Sequence, residues 1–301
     1  MSGGSFGAKL AEAISARGVE CALRSLDAPF EAGPVTIEIG EIGDIGATRA
    51  TGGDRLVWEG VSLAEVSAIF LERPIFSWPQ PARLGSFSIP RDARERVAER
   101  EARALTISAL MAAATLRPVV NGPEAGYLAA SRAIALTGLE QAGFPVHPWS
   151  LRTAPEPGAE EGRIVLDLVG AERWHRAMRP PAGDQCLELE PVAGEVFGLL
   201  MVGNDLAGAR RHVSAAAWAE GRGGETVPKQ LVPAEALDLG ARAVAALGLQ
   251  IAEVWISGAA GRLELLLVEP GADLAEWDAN LKGAVLEQLA TRMIEIAREP
   301  Y

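Results

Sequence analysis

The sequence predicts a two-domain α/β protein. Along its 301 residues, short apolar runs that suit buried strands alternate with longer segments of helical periodicity, and this alternation favours an open sheet with flanking helices. Hydrophobic residues make up 49% of the chain, enough to build a sizeable core at this length. A polar stretch rich in Pro, Glu and Gly, at 152–162, predicts a linker in the second half.

The first 118 residues carry the signals of an α/β domain. Apolar residues over 9–17 have helical spacing and are followed by Gly18, which predicts a helix with a glycine stop. The run Val66–Phe70 is rich in β-branched and aromatic residues and predicts a buried strand that ends near Arg73. The other predicted elements here are a strand over 20–26, a meander over 35–45 and 55–58, and a helix over 91–116.

The second part opens with a strand, an Asn-Gly-Pro turn, an amphipathic helix and a glycine stop followed by proline, all within 119–148. The elements predicted after it are a strand over 164–168, a short helix over 171–178, a strand or hinge over 187–191, a hairpin around Gly203 and Asn204, a helix over 233–247, a strand pair over 251–256 and 262–269, and a closing helix over 278–298.

Charge excludes several classes of partner. The formal net charge is −12, and a protein that neutralises phosphates needs a basic patch that this sequence does not show. We therefore expect no nucleic-acid partner and no membrane partner. No apolar run is long enough to span a bilayer or to form a signal sequence, which predicts a cytoplasmic protein. Cys21 and Cys186 lack metal or disulfide spacing and are expected to be buried thiols.

Several ordered motifs resemble those of RimK-type ATP-grasp ligases, which are related to glutamate ligases. They are VVNGPEAGYLAASRAIALTGLEQAGFPVHP from Val119, LELEPV from Leu187, LLMVGNDLAGARR from Leu199, LGLQIAEVWI from Leu247, and the segment 263–283. The resemblance implies an ATP-grasp fold with a Rossmann-like pre-ATP-grasp domain over 1–118 and an ATP-grasp-like domain over 119–301. Within the latter, the central lobe at about 150–192 is abbreviated and the C-terminal lobe covers 193–301.

Such ligases join a carboxylate to an amine through an acylphosphate, with ATP and magnesium as cofactors. Carried over by position, the resemblance implies cofactor-binding roles for Arg132 and Glu190, a catalytic role for Arg211, a metal-binding role for Glu269 and a substrate-binding role for Arg73. Two of these have plain structural alternatives. Arg73 would equally suit a surface ion pair with a neighbouring glutamate, and Arg211 would suit a solvated charge at a strand end.

Other positions depart from the family pattern. Asp167 stands where a second nucleotide-binding cation is expected, and a carboxylate there repels ATP. The glycine-rich loop that should follow this strand is missing. At the metal site, Trp255 replaces an aspartate, and Glu269 is followed by Pro270 and Gly271 instead of a second ligand. Trp255 would either fill the nucleotide cleft or, if the strand register slips by one residue, point into the core.

These departures favour a degenerate ATP-grasp protein over a working enzyme. The preferred hypothesis is a noncatalytic partner or binding subunit, acting beside an active ligase or pathway enzyme in cofactor biosynthesis. The alternative is an active ATP-dependent carboxylate–amine ligase in which Arg132, Glu190, Arg211 and Glu269 suffice. A third hypothesis is a protein that binds a non-nucleotide ligand in the old cleft. The sequence leaves a homo-oligomer open.

Overall fold

A computed structural model describes residues 6–21, 57–58, 61–62, 66–70, 108, 110–111, 113–115, 117–153, 164–167, 185–219, 224–259, 261–271 and 279–298. The chain divides into two compact units. The first comprises Met1–Leu71, Pro79–Glu124 and Ala290–Tyr301, and the second comprises Glu72–Trp78 and Ala125–Leu289. The domain boundary predicted at 118/119 stays a prediction.

In the first unit, helix α1 covers Phe6–Ser15. The chain leaves the helix at Gly18, whose φ of 77° suits glycine, so the predicted helix and its stop are confirmed. Strands β1 (Val57–Trp58) and β2 (Val61–Ser62) pair antiparallel. Strands β3 (Ile69–Phe70) and β4 (Val119–Val120) pair parallel, as an α/β domain requires. The strand predicted over 20–26 and the meander over 35–45 lie largely or wholly outside the described residues.

The predicted Asn-Gly-Pro turn is confirmed after β4. Asn121 has a φ of 51°, a left-handed conformation that asparagine tolerates better than most residues. Pro123 then starts helix α2 (Pro123–Ala130), where its missing N–H costs nothing. The single predicted helix is in fact two, because Ser131 is extended and separates α2 from α3 (Arg132–Gln141). Gly143, with a φ of 81°, ends the second helix as predicted.

The second unit contains two antiparallel sheets. Its strands are β5 (Trp149–Thr153), β6 (Ile164–Asp167), β7 (Gln185–Leu189), β8 (Glu195–Val202), β9 (Asp205–His212), β10 (Glu225–Val227), β11 (Ile251–Ala259) and β12 (Arg262–Pro270). The small sheet has the order β5-β7-β6, and the large sheet has the order β10-β9-β8-β11-β12. Its helices after α3 are α4 (Ala215–Ala219), α5 (Ala234–Ala246) and the start of α6 (Ala279–Arg298).

Each face of the large sheet has its own core. On the outer face, Leu199, Val254 and Ile256 are buried together with α5 residues such as Leu239 and Ala243. The inner face carries the alternate residues of the same strands, and the apolar ones among them belong to a second hydrophobic cluster. That cluster, the inter-sheet core, consists of Leu136, Ile164, Leu166, Leu187, Leu189, Val196, Ala215, Trp218, Trp255, Leu266 and Leu267. Because it contains residues of β6 and β7, it joins the small sheet to the inner face of the large one.

Two expectations need correction. The linker was predicted to begin at Arg152, but the chain stays in β5 as far as Thr153. Cys186 is buried as predicted, whereas Cys21 is exposed, so the expectation of two buried thiols was wrong. Among the described residues, no helix is long and apolar enough to cross a membrane.

Candidate functional site

Strand register places Trp255 and Glu269, the residues at which the resemblance expects a metal site, on the inner face. Gly198 of β8 pairs with Trp255 of β11 and with Arg210 of β9, while Trp255 pairs with Leu267 of β12. Directly paired residues of antiparallel strands point to the same side of a sheet. One row therefore runs Arg210, Gly198, Trp255, Leu267 across four strands.

The neighbouring row carries the metal candidate. Glu253 of β11 pairs with Glu269 of β12, two residues from the Trp255 pair, so Glu269 and Trp255 share the inner face. A slip of one residue in strand register, which would have turned Trp255 to the opposite face from Glu269, does not occur. Instead, a bulge between Trp255 and Ile256 leaves Leu266 as an extra residue on β12. Leu266 and Leu267 both join the inter-sheet core.

The indole of Trp255 lies across the sheet. An added Cβ at Gly198 would lie 2.5 Å from Cη2 of Trp255, a distance at which two carbons collide. The ring centroid is 5.7 Å from those of His212 and Trp218. Trp255 and Trp218 both have no exposed surface. The glycine at 198 thus makes room for an indole that extends from β11 over β8 toward β9.

Arg132 and Glu269 lie close together although they are 137 positions apart in the sequence. Nε of Arg132 is 3.5 Å from Oε1 of Glu269, and their side chains are only 5% and 6% exposed. Arg132 is the first residue of α3 and lies one helical turn before Leu136, a member of the inter-sheet core. The cofactor candidate and the metal candidate therefore form one buried ion pair.

The two adjacent arginines of β9 have different environments. Arg210 lies on the inner face and is 4% exposed. Arg211 points to the other side, where its guanidinium is 2.9 Å from Oε2 of Glu225 and 3.9 Å from Oε1 of Glu195. The hydrogen bond to Glu225 and the charge of Glu195 raise the pKa of Arg211 above its ordinary value, so it is charged at every physiological pH. The catalytic role predicted for Arg211 stays a prediction.

Glu190 follows β7 and is half-buried. Its carbonyl oxygen accepts a hydrogen bond from Nε2 of His147, 3.0 Å away, while Nδ1 of His147 lies 2.7 Å from Oε2 of Glu264. The backbone N–H of Glu190 also donates to the carbonyl oxygen of Pro148. His147 thereby connects the hinge after β7 to β12, and it has a structural role that its position before a proline does not reveal.

The remaining candidates fall beyond what the structure describes. Arg73 lies outside the described residues, as do Asp273, Glu276 and Asp278, three carboxylates that follow Glu269 in the sequence. Asp167 belongs to β6, but its side chain is not described. Within the described part of the chain, no group of three or more His, Cys, Asp and Glu residues is arranged to hold a metal ion.

The described residues at this position do not form the magnesium site that the resemblance implies. Mg²⁺ needs near-octahedral oxygen ligands and usually keeps several waters. Here Trp255 replaces one carboxylate with a buried indole, and Glu269 is committed to Arg132. Trp255 and Trp218 have no exposed surface and belong to a cluster of apolar side chains, none of which can serve as an oxygen ligand.

Arg210, Glu253 and Trp218 are not among the site residues predicted from the sequence. Adjacent arginines on a strand necessarily face opposite sides, but only the register decides which one faces inward. The pairing of Glu253 with Glu269 could not be predicted from the sequence either, because the bulge in β12 determines which residue lies opposite Glu253. The burial of Glu253, which is 5% exposed, is the signal that identifies it in the structure.

Comparison with known proteins identifies the fold. No family model and no curated protein sequence matches the chain. Among solved structures, the ATP-grasp ligase PsnB complexed with minimal precursor, Mg and ADP matches at 18% identity and a TM-score of 0.69, covering 98% of this chain and 95% of that one. Macrocyclase MdnC bound with precursor peptide MdnA, from Microcystis aeruginosa MRC, matches at 14% identity and a TM-score of 0.65, covering 98% and 97%.

A RimK domain ATP-grasp protein from Sphaerobacter thermophilus DSM 20745 matches at 17% identity and a TM-score of 0.55, covering 97% of this chain and 96% of that one. These similarities extend over nearly the whole length of each chain. They establish that the protein has the fold of ATP-grasp ligases, as the sequence motifs predicted.

Proposed function

We propose that this chain is a noncatalytic ATP-grasp-fold protein of the cytoplasm, related to carboxylate–amine ligases. In this proposal it does not transfer phosphate and instead serves as a binding subunit or partner for a protein or peptide, with a pathway of cofactor biosynthesis as one setting. The observation that carries the proposal is the indole of Trp255, which covers Gly198 on the inner face where the resemblance expects a metal-binding carboxylate.

A nucleotide that used this face would first have to displace the indole. Removing a tryptophan from a packed core costs about 3–5 kcal/mol. At 1.4 kcal/mol for each factor of ten, that cost would weaken binding by about two to four orders of magnitude. Contacts with a nucleotide would have to compensate for this penalty before any net affinity appeared.

The ion pair of Arg132 and Glu269 supports the same proposal. If Glu269 bound a metal, Arg132 would have to give up its partner within a buried environment. A buried charge that loses its partner is destabilising by about 3–5 kcal/mol. Both candidate residues are therefore more stable with each other than apart.

The partner in this proposal is suggested by the structural neighbours. PsnB and MdnC were each solved with a precursor peptide. A protein that keeps such a fold over its whole length, with a filled metal site, retains the surfaces of the fold for binding. We propose that a peptide or protein partner is recognised on those surfaces.

An active ligase of RimK type, forming an acylphosphate, is the second candidate. It is favoured by the retention of Arg132, Glu190 and Glu269 at the positions that the resemblance assigns. PsnB was solved with Mg and ADP. In this candidate Trp255 would swing away when Mg-ATP binds, and Arg132 would exchange Glu269 for a phosphate.

Thermal unfolding with and without Mg-ATP separates the two candidates. A ligand at 100 times its dissociation constant stabilises the native protein by about 2.7 kcal/mol, which is readily measured. The noncatalytic proposal expects no shift at millimolar Mg-ATP. A shift that disappears in Glu190→Ala, whose half-buried side chain makes it a milder change than Arg132→Ala, would reject this proposal in favour of the ligase.

The partner is tested by purification from the native organism. The proposal expects a companion protein or peptide at constant stoichiometry through gel filtration. Elution of the chain alone under mild conditions would count against a partner role. The thermal unfolding measurement with Mg-ATP would then decide between the remaining hypotheses.

A further inference from the structure

We propose that His147 forms a pH-sensitive link between the two sheets of the second unit. The link consists of the contacts that its two ring nitrogens make to Glu190, in the connection between β7 and β8, and to Glu264 of β12. Both contacts are made only while the imidazole ring carries two protons. This inference goes beyond the proposed function, because it does not depend on whether the chain binds a nucleotide.

Backbone pairing places His147 beside β12. The N–H of Leu265 donates to the carbonyl oxygen of Pro145, 2.8 Å away, and the N–H of His147 donates to the carbonyl oxygen of Leu265, 2.9 Å away. Between them, Val146 forms a parallel bridge with Leu265. His147 itself is buried, with 7% of its surface exposed. The main chain therefore holds this histidine next to Glu264.

Both ring nitrogens of His147 face oxygen atoms that accept hydrogen bonds. Nε2 lies 3.0 Å from the carbonyl oxygen of Glu190, and a carbonyl oxygen has no proton to donate. Nδ1 lies 2.7 Å from Oε2 of Glu264, a distance typical of a hydrogen bond between charged groups. A neutral imidazole has a single N–H and can donate to only one of these oxygens. The two contacts together thus need one proton more than a neutral ring and an ionised carboxylate contain.

A further contact of Glu264 favours the ring as the site of that proton. Nε of Arg262 lies 3.2 Å from Oε1 of Glu264, and a neighbouring positive charge favours the ionised form of a carboxylate. His147 is then an imidazolium. The charged groups that these contacts place around it are Glu264 and Arg262 of β12 and Glu190 after β7. Its own segment, 145–149, contributes no other charge.

Loss of the proton would release the connection after β7. A hydrogen bond to an ionised carboxylate is about twice as strong as one to a neutral acceptor, so the remaining proton stays on Nδ1. The lone pair of Nε2 then faces the carbonyl oxygen of Glu190 and repels it. Histidine ordinarily changes its charge between about pH 5 and 8. The link is therefore complete at acidic pH and is lost as the pH rises.

Amide hydrogen exchange of Glu190 tests this inference on the full chain. The N–H of Glu190 donates to the carbonyl oxygen of Pro148, so its exchange reports opening of the connection. The protection factor, which removes the direct effect of pH on the chemical exchange rate, is compared at about pH 5.5 and about pH 8.5. It is expected to fall about two- to tenfold at the higher pH, as the loss of one hydrogen bond predicts. An unchanged protection factor would overturn the inference.

Two variants separate His147 from the other titrating groups of the chain. His147→Gln keeps a donor and an acceptor but does not titrate. Glu264→Gln supplies an amide N–H that can donate to Nδ1, so that a neutral ring satisfies both contacts. In each variant, the protection factor of Glu190 is expected to be the same at the two pH values. A fall as large as that of the wild type would show that other groups cause it and would overturn the inference.

For the case in which neither variant folds, nitrogen-15 NMR of the wild-type histidine rings provides a second measurement. His147 is expected to show two ring N–H protons at about pH 5.5 and only the proton on Nδ1 at about pH 8.5. Any other pattern, including a remaining proton on Nε2 at the higher pH, would overturn the inference.

Discussion

Replacing Gly198 by alanine should destabilise the protein because of one side chain, Trp255. The added Cβ would lie 2.5 Å from Cη2 of the indole, closer than two carbons can approach. Either the ring or the backbone of β8 must move within a close-packed core. Overpacking of this kind costs about 1–3 kcal/mol.

A double-mutant cycle isolates the contribution of the indole. In a Trp255→Ala background, Gly198→Ala no longer meets a ring, and alanine is intrinsically better than glycine in a strand by about 0.5–1 kcal/mol. The cost should therefore vanish or change sign. We expect an interaction energy of about 1.5–4 kcal/mol between the two positions, measured by urea unfolding monitored by circular dichroism.

The neighbouring strand offers a matched control. At Gly258 of β11, an added Cβ would lie 3.4 Å from Cδ2 of Leu263, an ordinary contact. Gly258→Ala should give only the intrinsic gain of alanine in a strand, about 0.5–1 kcal/mol, and this gain should be the same in both backgrounds. An equal cost of Gly198→Ala with and without Trp255 would refute the conclusion that the indole lies across the inner face.

Other substitutions test the remaining contacts. Arg211→Ala should leave the midpoint of urea unfolding nearly unchanged, because its ion pairs with glutamates are exposed. A larger loss would mean that Arg211 is more than a surface charge. His147→Ala should cost about 1–3 kcal/mol in the same assay, since it removes a buried link to Glu264 and to the hinge; an unchanged midpoint would contradict that role. Gly138→Ala should raise stability by about 0.5–1 kcal/mol, because the site lies within α3 with open space around it. Gly143→Ala should lower the thermal midpoint instead, because the φ of 81° at this position disfavours alanine. A higher midpoint for Gly143→Ala than for Gly138→Ala would contradict the role of Gly143 in ending the helix.

Much of the fold was predictable because local chemistry determines it. Gly18 and Gly143 end their helices with positive φ, and Asn121 forms the turn before α2, as the sequence indicates. The hairpin of β8 and β9 turns at the predicted Gly203. Strand β5 was missed, because its polar residues and the Pro-rich segment after it have the composition of a linker. Its strand pairing with β7 outweighs that local preference.

The candidate site was predictable only in part, because it depends on long-range register. The motif resemblance placed Glu269 and Trp255 at related positions, and both lie on the inner face. It could not show that Arg132 reaches Glu269, or that Glu253 stands opposite it. Those relations arise from the packing of α3 and from strand pairing, neither of which has a local sequence signal.

The apolar and the ionic replacements at this site depend on each other. Trp255 has no exposed surface and Glu269 on the same face is 5% exposed, so a charge on Glu269 is costly unless a cation lies close to it. Arg132 supplies that cation at 3.5 Å. Conversely, a metal held by Glu269 would compete with Arg132 and would lack the carboxylate that Trp255 replaces. Restoring an aspartate at position 255 alone would therefore add a third buried carboxylate while Arg132 still occupied Glu269. Under the noncatalytic proposal, a working metal site would therefore require changes at both places.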